Sequence, residues 1–118
     1  MRYQIIIDGI PPSNNKYMGK TYHFEQYQEK KREWHLRVKA AIKERLKTPF
    51  DKAVVKLTYH FRDRIRRDPD NYSGKFILDA LVKEGIIKDD SFNCVTLILE
   101  QGEPNSKRPN VEVEVVEL

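Results

Sequence analysis

Two hydrophobic periods alternate along this chain, and their order restricts the folds open to it. In residues 2–8, Tyr3, Ile5 and Ile7 recur at a spacing of two, the period of a strand with one buried face. From about Glu25 to Lys47 the period changes. Tyr27, Trp34, Val38, Ala41, Ile42 and Leu46 now fall at spacings of three, four and seven, with charged residues between them. That pattern predicts a long amphipathic helix, ended by Pro49. Alternation returns in residues 53–62, where Val55, Leu57, Tyr59 and Phe61 oppose Lys56, Thr58, His60 and Arg62. A second helix is expected from about Asn71 to Glu84, burying Phe76, Ile77, Ala80 and Leu81, with Gly85 as its C-terminal cap. Two strands close the chain, Cys94–Gln101 and Val111–Leu118. Between them GEPNSKRPN has the Gly, Pro and Asn of a hairpin loop.

The resulting order is β-α-β-α-β-β. It predicts an α/β (two-layer α+β) fold with a single mixed sheet of about four strands. Right-handed crossovers would place both helices on one face of it. With 118 residues and no linker or repeat, the chain is read as one domain, residues 1–118. At this size the core is modest, and oligomerisation is expected.

Composition narrows the function classes. Apolar residues make up 39% and charged residues 34%, a soluble balance. No apolar run is long enough to span a bilayer, and MRYQIIIDGI reads as a strand rather than a leader, so a cytoplasmic protein is expected. Cys94 is the one cysteine, which excludes an internal disulfide and a cysteine-rich zinc site. His23, His35 and His60 have no metal-ligand spacing and read as surface residues. No serine or cysteine sits in a nucleophile-like turn, and no glycine-rich phosphate loop is present. Net charge is only +4, which permits nucleic-acid binding without establishing it. Its distribution says more, because Arg62, Arg64, Arg66 and Arg67 crowd together just before an acidic segment.

That segment is Asp68-Pro69-Asp70. Proline biases the preceding residue toward extended backbone, and in an extended chain residues two apart point the same way. Both carboxylates then converge, and such a pair repels unless a cation or proton lies between them. Mg²⁺ or Mn²⁺ prefers hard oxygen ligands of this kind. An ordinary alternative stands beside this: Asp70 as the N-cap of the second helix, and Asp68 as an ion-pair partner of Arg66 or Arg67. If the chain stays extended after His60, Arg62, Arg64, Arg66, Asp68 and Asp70 share one face, and the arginines would guide a phosphate backbone to the acids. Lys75 and Asp79 lie four apart on the second helix and can pair there, or Lys75 can face a phosphate. Asn71 lies one turn before Lys75 and could share that surface. Asp89 and Asp90 follow the helix. Because a crossover helix runs antiparallel to its strands, chain order alone does not bring Asp90 to Asp70.

The segment RRDPDNYSGKFILDALVKEGIIKDD resembles the RusA Holliday-junction resolvases, a family common in phages and prophages. The loop PPSNNKY is similar to the same family's early signature, and the order of elements agrees, so the resemblance covers most of the chain. It implies a homodimeric, Mg²⁺-dependent endonuclease that cuts four-way junctions and related branched DNA. Carried over residue by residue, Asp68, Asp70 and Asp90 match the family's catalytic, metal-binding acids, and Lys75 matches its lysine. The resemblance, not the physics of spacing, joins Asp90 to the other two. Asn14, Asn15, Lys16, Asn71 and the arginines 62, 64, 66 and 67 are the expected DNA contacts. One departure is specific to this chain. In the family pattern the lysine follows the second aspartate by four residues, whereas Lys75 follows Asp70 by five, with Gly74 as the apparent extra residue. A later helix start or a bulge at Ser73-Gly74 would absorb it. The alternatives are a non-catalytic protein of the same fold that binds branched DNA, and an enzyme acting on a phosphorylated small molecule.

Overall fold

The computed structural model describes residues 1–14 and 24–118. Among these, four strands and two α-helices follow one another as expected: β1 (Arg2–Asp8), α1 (Phe24–Ala41), β2 (Ala53–His60), α2 (Lys75–Lys83), β3 (Val95–Gln101) and β4 (Asn110–Glu117). A short 3₁₀ turn at Pro69–Asn71 precedes α2. The strands form one mixed sheet in the order β1-β4-β2-β3. β2 and β3 are parallel, joined by the α2 crossover, and β4 is antiparallel to both β1 and β2.

The period-two pattern builds the core directly. Register sets Tyr3, Ile5 and Ile7 of β1 opposite Val115, Val113 and Val111 of β4, and Val55 and Leu57 of β2 opposite Val115 and Val113. All of these are buried in one cluster with Trp34 and Val38 of α1 and Phe76, Ile77 and Leu81 of α2, so both helices cover the same face. The opposite face is polar and open. There Glu114 accepts hydrogen bonds from Arg2 and Gln4, and Lys56 pairs with Glu100 at 3.7 Å.

Three expectations are corrected. The expected hairpin between the last two strands is absent, because β4 inserts between β1 and β2 and never touches β3. The connection GEPNSKRPN is longer than a tight hairpin allows. It crosses the end of β2 instead, where Gly102 N–H donates to Tyr59 O and Asn105 N–H to Phe61 O. Helix α1 ends at Ala41, short of Lys47. Residues 42–47 are held without helical backbone: Tyr3 Oη donates to Glu44 O at 2.8 Å, and Ile42 and Leu46 still pack on the core. Their apolar spacing therefore mimics a helix that tertiary contacts replace. Helix α2 starts at Lys75 and not at Asn71, since Gly74 adopts a left-handed conformation (φ 76°) as its N-cap.

Gly85 caps α2 as expected, at φ 75°. Gly85 N–H donates to Val82 O and Ile86 N–H to Leu81 O, the paired bonds of a Schellman motif. The residue before it, Glu84, clamps α2 to α1. Its carboxylate lies 2.5 Å from His35 Nε2 and 2.8 Å from Arg45 Nη2, with the Glu84 side chain only 10% exposed. The hydrogen bonds from His35 and then Arg45, against opposing desolvation, hold the Glu84 carboxyl below the ordinary carboxylate value of 4.5. A depressed acid contributes stability that is complete above the unfolded value and is lost as pH falls through the folded one. Glu84→Gln is expected to flatten the acid limb of the stability curve below pH 4.5. Urea midpoints measured between pH 3 and 7 check this. An acid limb identical to wild type would contradict the clamp.

Candidate active site

The site segment hangs from the carboxyl end of β2. After His60 the chain does not remain extended. Asp63 Oδ1 accepts the Ile65 N–H at 3.1 Å, an Asx-type turn, and Arg67 folds back over the ring of Phe61 at 4.3 Å. The single arginine face inferred from parity is therefore not formed. Arg62, Arg64 and Arg66 are exposed, whereas Arg67 is fixed by Asp63 Oδ1 at 2.9 Å and Ile65 O at 2.9 Å. Arg67 serves here as a brace for the loop. Arg64 pairs with Glu103 at 2.8 Å, and Arg66 with Asp68 at 3.4 Å. The last of these was an expected alternative partner for Asp68.

Asp68 is extended (φ −100°, ψ 137°), as the following proline dictates. Asp70 is not, because it lies within the 3₁₀ turn, so the period-two argument does not align its carboxylate with Asp68. Nor is Asp70 the N-cap of α2, a position Gly74 takes. Both acids are exposed and stand clear of the core. Asn14 ties the N-terminal loop to them: its Nδ2 donates to Asp70 O at 2.9 Å and to Ser73 Oγ at 3.0 Å. Tyr59 Oη donates to Tyr72 O at 2.7 Å and anchors the same segment from β2. Burial pushes the Tyr59 hydroxyl far above its ordinary value, so it remains a donor. Asn71 N–H donates to Asp68 O within the turn.

Lys75 is the first residue of α2 and is exposed. The expected Lys75–Asp79 pair is not the one formed. Asp79 instead faces Lys31 of α1 at 3.8 Å, and Lys75 is among the residues lining a cavity of about 290 Å³. Asn14, Tyr27, Tyr72 and Phe76 are among its walls. A smaller cavity of about 70 Å³ lies beneath Asp68 and Pro69, against Leu99, Glu100 and Gln101 at the end of β3. Asn15 and Lys16 lie outside the described residues, as does His23. Two exposed apolar residues were missed by periodicity: Ile65, three residues before Asp68, and Phe92, two after Asp90.

Asp90 is elsewhere. Its loop leads from α2 into β3 and lies at the amino ends of β2 and β3, where Cys94 and Val95 N–H both donate to Ser91 O and Ala53 N–H to Cys94 O. Lys88 pairs there with Asp51 at 3.3 Å. Asp68 and Asp70 lie at the opposite end of the sheet, beyond eight residues of β2. Among the described residues no group of three or more histidine, cysteine or acidic side chains is arranged to hold a metal.

The family model described as Endodeoxyribonuclease RusA matches residues 8–116, nearly the whole chain. The chain belongs to that family, the metal-dependent, junction-resolving endodeoxyribonucleases. Its substrate class is therefore DNA junctions. No curated protein matches the chain. Among the described residues no helix is long and apolar enough to cross a membrane.

Proposed function

We propose that Asp68, Asp70 and Asp90 bind Mg²⁺, with Mn²⁺ as a substitute, and that a homodimer of this chain cuts four-way junctions and related branched DNA in recombination and repair. One observation carries the proposal. At the carboxyl end of the parallel pair β2–β3, two exposed carboxylates, the exposed Lys75 and the exposed Arg62, Arg64 and Arg66 stand together without a hydrophobic role. Carboxyl ends of parallel strands are where α/β sheets place ligands.

The donor set suits a hard cation, since Asp68 and Asp70 are open oxygen ligands, and one further acid would complete it. When bound, the ion lowers the pKa of a coordinated water and offsets charge on the phosphate. The chain's own residues then position the substrate. Lys75 would neutralise negative charge developing on the phosphate oxygens as the water oxygen bonds to phosphorus and one P–O ester bond breaks. Arg62, Arg64 and Arg66, with Asn14, Asn15, Lys16 and Asn71, hold the DNA backbone, a contact that carries no base sequence. Recognition thus rests on branched shape. Arg67 contributes by keeping the arginine loop folded.

Replacing Arg62, Arg64 and Arg66 together with Ala is expected to lower the salt dependence of junction binding. Three lost phosphate contacts reduce the log–log slope by roughly two to three. Binding titrations at several salt concentrations measure it, and an unchanged slope would place the DNA elsewhere. A non-catalytic junction-binding role is disfavoured because all three matched aspartates and the lysine are present.

A further inference from the structure

Beside the acid segment lies the cavity of about 290 Å³, and much of its wall is aromatic. Tyr59 and Phe76 in that wall are buried, whereas Tyr27 and Tyr72 are half-buried, so the aromatic surface runs from the core out to solvent. The Tyr27 and Phe76 ring centres are 5.2 Å apart, which joins α1 to the start of α2 there. Tyr72 stands edge-on to Tyr59 at 5.8 Å, and its main-chain oxygen accepts the Tyr59 hydroxyl. Pro12 adds apolar surface from the N-terminal loop. A gap of this size forfeits packing that a core would otherwise close. Its volume is at the lower end for small-ligand pockets, roughly 300 Å³, a size for one planar ring system and not for a base pair.

Two polar side chains place the cavity relative to the chemistry. Asn14 lines it and also ties it to the acids, since its Nδ2 donates to Asp70 O at 2.9 Å. Lys75 lines it too, and is the residue assigned above to the phosphate. In DNA a base is joined to its own phosphate through a single sugar. A nucleotide whose phosphate lies at Asp70 and Lys75 therefore has its base within reach of the aromatic wall. We infer that this cavity takes one unstacked nucleobase of the DNA, held against aromatic side chains beside the phosphate that is cut. This rests on the assignment of Asp70 and Lys75 made above.

The chemistry of the two partners matches. Every base has a π-face, and stacking it on an aromatic side chain changes affinity by about tenfold. The Asn14 amide and the Lys75 ammonium offer hydrogen bonds to the edge of a base so held. A base within linear duplex must first be pulled from its stack, whereas one at a branch point has already lost a neighbour. The cavity thus favours branched DNA over duplex, and adds a local source of selection to the overall shape of the junction.

Abasic junctions test this. Four-way junctions are made with a single abasic residue placed at each position near the branch in turn, and binding is measured without Mg²⁺. The wild-type protein should lose about tenfold in affinity at one of these positions. Tyr27→Leu should bind the intact junction about tenfold more weakly and lose nothing further at that position, while Tyr27→Phe, which keeps the ring, should match wild type. Thermal midpoints establish that each variant is folded, and Tyr72→Leu, from another part of the wall, repeats the comparison if Tyr27→Leu is not. Losses that simply add, or a Tyr27→Phe variant as weak as Tyr27→Leu, overturn the inference. Wild-type binding and cleavage unchanged at every abasic position overturn the base site alone and leave the acid and lysine assignments standing. A wild-type protein that binds no junction overturns the junction reading and this inference with it.

Discussion

Asp70→Asn is expected to lower cleavage of a four-way junction by at least about a hundredfold while junction binding stays at or above the wild-type level. The substitution keeps volume and hydrogen-bonding capacity but removes the charge that a cation requires. Asp70 is exposed in the 3₁₀ turn, and only its main-chain oxygen is bound, by Asn14. The fold therefore loses little when the carboxylate goes, and the thermal midpoint should move by no more than a degree or two. Binding persists because the phosphate contacts come from the arginines, and a negative charge facing the DNA backbone has been removed. Cleavage and binding must be measured separately on the same preparation. Cleavage at the wild-type rate would remove Asp70 from the site.

Gly74→Ala is expected to destabilise the protein by about 3 kcal/mol, and to disturb Lys75 with it. Two separate costs combine. Gly74 is left-handed at φ 76°, where a side chain costs about 1–2 kcal/mol. A Cβ there would also come within 2.2 Å of Leu57 Cδ1, and Leu57 is wholly buried in β2. Gly85 provides the control. It has the same backbone sign, φ 75°, but a Cβ would meet nothing within 4 Å. Gly85→Ala should thus show the backbone cost alone, about 1 kcal/mol, and the difference between the two variants isolates the contact with Leu57. Denaturant midpoints of the pair decide it, and equal losses would contradict the close approach.

Much of this fold was legible in the sequence because burial enforces period. The core residues of β1, and Val55, Leu57 and Tyr59 of β2, were visible in the alternation, and Gly85 announced its cap. The strand order was not. Nothing local in Val111–Leu118 says that β4 will enter between β1 and β2, since that choice is made by long-range pairing. The helical spacing of Ile42 and Leu46 misled for the opposite reason. Those side chains reach the core from irregular backbone held by Tyr3 and the Arg45–Glu84 pair.

The site was legible in a different way. Asp68-Pro69-Asp70 stood out by charge and chain geometry, yet the structure places Asp70 in a turn that period-two reasoning does not describe. The extra residue Gly74, noted as a departure in spacing, delays the start of α2 to Lys75. Asp90 could not be joined to the other acids from chain order, and in the folded chain it stands at the far end of the sheet. Arg67 looked like one more phosphate ligand, but its stacking on Phe61 depends on a turn at Asp63 that charge counting cannot foresee.

The most direct test is incubation of the wild-type protein with labelled four-way junction and with linear duplex of the same sequence, each with and without Mg²⁺. Symmetric cleavage of the junction that requires Mg²⁺, with the duplex left intact, is the predicted result. Cleavage of neither substrate at any Mg²⁺ concentration, or equal cleavage of both, would contradict a junction-selective, metal-dependent nuclease.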